Sequence, residues 1–258
     1  MIVDSHAHLN HEDLLEEADA VLQRAALAGV AAVVVVGYDL PSSKRAVELA
    51  ERLPQVAAVV GLHPYEAGRA AEDDIRAISE LASSTRVAAI GEIGLDYHGE
   101  EYAPKALQIE LARRQMAMAD DLGLPVVLHL RETGLDILPL LDAYPEVRAV
   151  AHCFDGGEAL LTEVLARGAF ISFAGNLTYK RNETLRSLAG RVPPGRLLVE
   201  TDSPYLAPQG HRGRRNEPAY IVETLSALAA AQGVPVADLA LVTSRNAQEI
   251  FRPLRTAF

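Results

Sequence analysis

Eight short apolar runs, each followed by a longer segment of helical periodicity, predict an α/β fold for this 258-residue chain: a (β/α)8 TIM barrel. The runs are nearly continuous rather than alternating, as parallel strands buried on both faces should be. A third observation agrees. Histidines and carboxylates gather just past the runs, and in such barrels chemistry sits at the C-terminal ends of the strands.

The expected strands are 2–3, 31–36, 56–61, 87–91, 125–128, 147–151, 169–173 and 196–199. Between them lie helical stripes. Leu14, Leu15, Ala18, Val21, Leu22, Ala25 and Ala26 form one; Leu107, Leu111, Met118 and Leu122 another; Leu160, Leu161, Val164 and Leu165 a third. Gly29, Gly123 and Gly168 follow these stripes, where a helix end favours a residue that tolerates positive φ. Two more helices are expected over 218–232 and 236–251. No Pro/Gly/Ser linker divides the chain, which predicts one domain over 1–258. The competing open doubly wound sheet would carry a Gly-rich phosphate turn after its first strand. Asp4-Ser5-His6-Ala7-His8 stands there instead.

Composition narrows the class. The apolar fraction is 49% and the charged fraction 23%, typical of a folded globular protein. The formal charge of −11 argues against wrapping duplex DNA through a basic face. It leaves room for a strand end entering a local pocket whose field is set by metal ions. A single cysteine, Cys153, excludes an internal disulfide and a thiolate metal cluster, and suits a reducing cytoplasm. No basic segment precedes an apolar run at the start, and run 31–36 is far too short to span a bilayer.

His6 and His8 follow the first run, His63 the third, Glu92 the fourth, His129 the fifth, His152 the sixth and Asp202 the eighth. Singly, each has a plain structural explanation: a cap, a core histidine, a turn residue before Pro204. Together they are hard to explain by packing, because an unpaired buried imidazole or carboxylate is costly. Imidazole and carboxylate donors suit Zn2+, Mn2+, Fe2+ and similar ions. A His-x-His pair puts two imidazoles on one side of a strand. A carboxylate such as Glu92 has two oxygens and can bridge two ions.

Asp4-Ser5-His6-Ala7-His8-Leu9, Gly61-Leu62-His63-Pro64, Gly91-Glu92-Ile93-Gly94-Leu95-Asp96-Tyr97, His152-Cys153-Phe154, Glu200-Thr201-Asp202-Ser203-Pro204-Tyr205-Leu206 and His211-Arg212-Gly213-Arg214-Arg215-Asn216-Glu217-Pro218 closely resemble the TatD family of metal-dependent deoxyribonucleases. The resemblance runs over nearly the whole chain. It implies a barrel of the metal-dependent hydrolase superfamily, with His6, His8, Glu92 and Asp202 on one cation and Glu92, His129 and His152 on the other. It implies 3′-to-5′ exonuclease activity on single-stranded DNA ends or damaged DNA, with Mg2+ or Mn2+ supplied and Zn2+, Fe2+ or Ni2+ as alternative occupants. No membrane and no obligate protein partner is expected. After the strand-five histidine the family usually reads His-Ser-Arg-Asp-Ala; here the run is His129-Leu130-Arg131-Glu132-Thr133, which keeps the histidine and the arginine and alters the loop.

The expected catalytic residues are Asp202, as proton acceptor from the attacking water, Glu92 and His63. His63 is also expected to hydrogen-bond a phosphate oxygen or the leaving group. Arg131, Lys180, Arg212, Arg214 and Arg215 are the candidate phosphate contacts, because guanidinium forks match phosphate. Tyr97 and Tyr205 are candidates to stack on a base. Two competing functions remain at this stage: hydrolysis of a non-nucleic-acid ester, amide or lactone, and a non-enzymatic metal-binding scaffold. The arginine-rich 211–215 loop favours phosphodiesters over the first, and the complete donor set speaks against the second.

Overall fold

The structure, a computed structural model, describes residues 1–99 and 103–256. Its elements alternate as β1 (Ile2–Ala7), α1 (Glu12–Leu15), α2 (Ala18–Leu27), β2 (Val30–Val36), α3 (Leu40–Arg52), β3 (Val56–Val60), α4 (Glu72–Ala82), β4 (Val87–Asp96), α5 (Lys105–Leu122), β5 (Val126–Arg131), α6 (Leu138–Ala143), β6 (Ala149–Ala151), α7 (Glu158–Ala166), β7 (Phe170–Phe173), α8 (Glu183–Ala189), β8 (Leu197–Val199), α9 (Ile221–Gln232) and α10 (Val236–Ile250). The eight strands pair in chain order, all parallel, from β1 to β8. Backbone hydrogen bonds from Asp202 N–H to the His6 carbonyl (2.9 Å) and from His8 N–H to the Ser203 carbonyl (2.7 Å) join the segment after β8 to β1.

Small and β-branched residues fill the barrel. Val34, Val59, Val127, Val150, Phe170 and Leu198 pack inside it, and Ile250, Phe251 and Leu254 plug its lower end. Side chains of α10 secure that plug: Ser244 Oγ bonds the Met1 carbonyl at 3.0 Å, and Asn246 Nδ2 the Leu197 carbonyl at 2.8 Å. A second apolar layer, outside the barrel, seats the helices on the strands. Gly29, Gly123 and Gly168 take positive φ at the helix ends, as their positions predict. Among the described residues no single helix is long and apolar enough to cross a membrane.

Two expectations need correction. β1 and β4 do not stop at residues 3 and 91 but run on to Ala7 and Asp96, so His6 and Glu92 lie within strands. In both, the register slips by one residue, between Asp4 and Ala7 and between Ile90 and Ile93. An extra residue of this kind forms a bulge that bends the strand and re-aims a side chain. β5 likewise continues through His129 to Arg131. The first helical stripe is also divided, into α1 and α2. The physical reason is Arg215. Its Nη1 bonds the Asp13 carbonyl, which an unbroken helix would offer to the N–H of Glu17. That N–H turns to the Leu14 carbonyl instead (3.1 Å), and Arg215 Nη2 pairs with the Glu17 carboxylate at 2.9 Å.

Candidate metal centre

His6, His8, His63, Glu92, His129, His152 and Asp202 converge at the upper mouth of the barrel. Close approach of neighbouring strands makes the convergence possible. A Cβ on Gly61 would lie 2.7 Å from the Gly91 carbonyl carbon, and one on Gly91 would lie 2.8 Å from Val127 Cβ. Both positions therefore need glycine for Glu92 to sit where it does. Asp202 adopts a left-handed backbone (φ 56) just past β8, which turns its side chain back over the mouth.

Glu92 is the hub. Its Oε2 lies 3.5 Å from His6 Nε2 and 3.8 Å from His8 Nε2. Its Oε1 lies 2.8 Å from both His129 Nδ1 and His152 Nε2. Asp202 Oδ1 completes the first side, 3.4 Å from His8 Nε2 and 3.8 Å from His6 Nε2. Each oxygen of one carboxylate thus faces a different imidazole set.

Hydrogen bonds at the far side of the rings decide which nitrogens carry protons. His8 Nδ1–H donates to the Val36 carbonyl at 2.8 Å, which frees Nε2 as a ligand atom. His129 Nε2 meets Asp96 Oδ2 at 2.8 Å, which leaves Nδ1 facing Glu92. His152 Nδ1 meets Glu200 Oε1 at 3.3 Å, which leaves Nε2 facing Glu92. His6 stacks on His152 at 4.0 Å, and its Nδ1 has no partner among the described residues.

His63 behaves differently. Its Nδ1 accepts the N–H of Tyr65 at 3.2 Å, so its neutral ring carries the proton on Nε2, 3.6 Å from Glu92 Oε1. Burial, with the neighbouring His129, pushes its pKa down to about 3 and keeps the ring neutral. His63 is a hydrogen-bond donor aimed into the mouth rather than a free lone pair.

The donor set fits divalent cations. Lone pairs of neutral imidazoles and carboxylate oxygens face one another at 2.8–3.8 Å, a repulsive arrangement until a positive charge enters. Ligand atoms of His6, His8 and Glu92 all lie within 4.8 Å of one another, as do those of His6, His152 and Asp202 and those of His63, Glu92 and His129. The field is strongly cation-attracting. Burial alone would depress His152, yet Glu92 and Glu200 hold it well above the ordinary imidazole value. His8 and His129 are raised in the same way, against burial, by Asp202 and by Asp96 with Glu92. Cys153 lies beside this cluster, but burial and the surrounding carboxylates push its thiol well up, so it is not poised as a nucleophile.

Asp96 and Glu200 were invisible as site residues from the sequence, although both stand inside quoted motifs. Both are fully buried. Their signal was spacing: past the β4 bulge, Asp96 shares a strand face with Glu92, and Glu200 precedes Asp202 by two positions. Asp96→Asn or Glu200→Gln should weaken Mn2+ binding by about 10- to 100-fold, since each orients a ligating histidine. Calorimetric titration with Mn2+ measures it; unchanged affinity in both variants would remove the orienting role.

The basic candidates divide. Arg131 is the half-buried last residue of β5. Arg212 lies over the Tyr179 ring at 4.5 Å, and Arg214 is exposed with no ion-pair partner among the described residues. Arg215 is committed to Glu17 and the Asp13 carbonyl, so it braces α1 and α2. Lys180 is exposed after β7 and lines an open groove of about 660 Å3 with Thr178, Gln209 and Glu223, not the cluster around Glu92. The Tyr97 ring is covered by Lys105 Nζ at 3.9 Å, whereas Tyr205 is half exposed.

Comparison with known proteins agrees with this geometry. The family model described as TatD related DNase matches residues 3–252. The uncharacterized metal-dependent hydrolase YabD of Bacillus subtilis is 36% identical over 254 residues, covering 98% of this chain and 99% of that protein. The 3′-5′ ssDNA/RNA exonuclease TatD of Citrobacter rodentium is 34% identical over 255 residues, covering 96% and 97%. Among solved structures, the TatD homologue YJJV of Escherichia coli K12 superposes with a TM-score of 0.92 at 27% identity, covering 97% and 98%. A mutant organophosphorus hydrolase, with a TM-score of 0.64 at 18% identity, shares the fold. With the sequence motifs, the barrel and the clustered donors all in agreement, the chain belongs to the TatD family of metal-dependent hydrolases.

Proposed function

We propose that this protein is a deoxyribonuclease that removes nucleotides from the 3′ end of DNA, as one catalytic domain working in the cytoplasm. The observation that carries the proposal is Glu92, whose two oxygens face separate imidazole sets. That is the arrangement a bridging carboxylate needs to hold a pair of cations. His6, His8, Glu92 and Asp202 would hold one, and Glu92, His129 and His152 the other. Bound there, two divalent cations supply Lewis-acid polarisation of the phosphoryl group and a water acidified toward neutral pH.

The chain's own residues do the rest. Asp202, held low by its contacts with His8 and His6 despite burial, stays ionised and accepts the proton of the attacking water. The Nε2–H of His63 donates to a phosphoryl oxygen or to the departing oxygen. Arg131, Arg212 and Arg214 line the approach on the same face and meet the phosphates of the strand. A relative 34% identical over almost its whole length carries the name 3′-5′ ssDNA/RNA exonuclease, which supports the direction proposed.

The test uses purified protein, Mn2+ or Mg2+, and single-stranded DNA labelled at one end. A 3′ label should appear as mononucleotide at the first time point, while a 5′ label should descend a ladder. Turnover of a lactone, an amide or a carboxylic ester with no nucleotide release would replace the proposal.

A further inference from the structure

Aromatic side chains are mostly hidden in this protein. Among the described residues only two aromatic rings are exposed, Tyr65 (39%) and Tyr205 (49%). Both touch histidines of the metal centre. Tyr65 meets His63 edge-on at 4.2 Å, and Tyr205 meets His8 at 5.9 Å. They stand on opposite sides of the hub, since His63 Nε2 faces Glu92 Oε1 and His8 Nε2 faces Oε2.

Neither ring is loose. Tyr65 donates its N–H to His63 Nδ1 at 3.2 Å and its hydroxyl to Asp96 Oδ2 at 3.0 Å. Tyr205 donates its N–H to the Asp202 carbonyl at 2.9 Å, and its own carbonyl accepts Asn216 Nδ2 at 2.7 Å. The rings are therefore set in place before any ligand arrives, which reduces the entropy lost on binding. Other tyrosines have their faces occupied: Tyr97 by Lys105, Tyr179 by Arg212, and Tyr220 by His211 at 3.6 Å.

From this we infer that Tyr65 and Tyr205 form a two-sided stacking clamp for the unpaired bases on either side of the scissile phosphodiester, which selects single strands. The inference rests on the phosphodiester function proposed above and deepens it. A chain of charge −11 cannot grip DNA through broad counterion release, so stacking has to supply much of the hold. Every base has a π face, so the clamp accepts any sequence, but a paired and stacked base has no free face to offer.

Steady-state kinetics with Mn2+ on a single-stranded oligonucleotide, beside the same oligonucleotide made abasic at its last two positions, tests the clamp. Tyr205→Ala and Tyr65→Ala should each lower kcat/KM on the normal strand by about 5- to 100-fold, mainly through KM. Neither should change it on the abasic strand. Tyr205→Phe and Tyr65→Phe keep the ring and should retain nearly all of it. The Phe variant at 65 also separates stacking from the hydroxyl's bond to Asp96. Mn2+ binding by calorimetry should be unchanged in Tyr205→Ala. Equal losses on normal and abasic strands, or Phe variants as impaired as Ala, would overturn the clamp and leave the hydrolytic proposal standing. If the wild-type protein released no nucleotide, that proposal would fail. The clamp would then be decided by anisotropy of the labelled strand with Mn2+ present: weaker binding by the Ala variants supports it, and equal binding overturns it.

Discussion

Replacing Glu92 with alanine is expected to lower kcat/KM on the true substrate by about a thousand-fold or more, whatever that substrate proves to be. Glu92 touches both imidazole sets, at 3.5 Å and 3.8 Å on one oxygen and 2.8 Å twice on the other. Losing it removes a negative charge from the centre of four imidazoles, so each cation loses a ligand and the two lose their fixed separation. Transition-state stabilisation by such ions amounts to several kcal/mol, and each 1.36 kcal/mol is a factor of ten, which sets the size of the loss. Glu92→Gln keeps the shape but halves the ligating oxygens and removes the charge, so it should recover little. The check is twofold: kcat/KM, and the number of Mn2+ ions bound per chain by calorimetry. Near wild-type turnover in Glu92→Ala would end the two-cation account.

Stripping the metal should have the second largest effect, and on two observables at once. Dialysis against a chelator is expected to abolish turnover and to lower the melting temperature, with both restored by adding Mn2+. The donors come from β1, β4 and β5 and from the segments that follow β6 and β8, so a bound cation ties the barrel together around its upper rim. A ligand that binds only the folded state at about a thousand times its Kd stabilises by about 4 kcal/mol. For a chain of this size that corresponds to a shift of about 8–16 °C. Identical melting curves and identical turnover with and without chelator would show that the cluster holds no functional ion.

The parts of this molecule that were legible in its sequence are those governed by local pattern. The β-branched runs of β2, β3, β6, β7 and β8 mark themselves, because strands buried on both faces leave no alternation to confuse. His152, His63 and Asp202 fall just past their strands, as the barrel rule requires. The bulges at 4–7 and 90–93 were not legible, since a single extra residue in the pairing leaves no compositional trace. Nor was the role of Arg215. From the sequence it was one basic residue among several in a loop, and only the fold brings it beside Asp13 and Glu17, some 200 positions earlier. The orienting groups were hidden for the same reason. A carbonyl such as that of Val36, or a carboxylate such as Glu200, gains meaning only from the ring nitrogen it meets. Tyr65 was missed because a tyrosine after His-Pro looks like any turn aromatic until its exposure is known.

The seam beneath the cluster carries a consequence for biosynthesis. Asp4 accepts hydrogen bonds from the N–H and the hydroxyl of Thr201, 197 positions away, and Ser5 bonds the Val199 carbonyl at 3.0 Å. While the ribosome is still translating, His6 and His8 emerge early, but the Asp202 that accompanies them arrives only after all eight strands. A nascent or truncated polypeptide therefore lacks the proposed proton acceptor, and its hydrolytic power switches on only when the ring has closed.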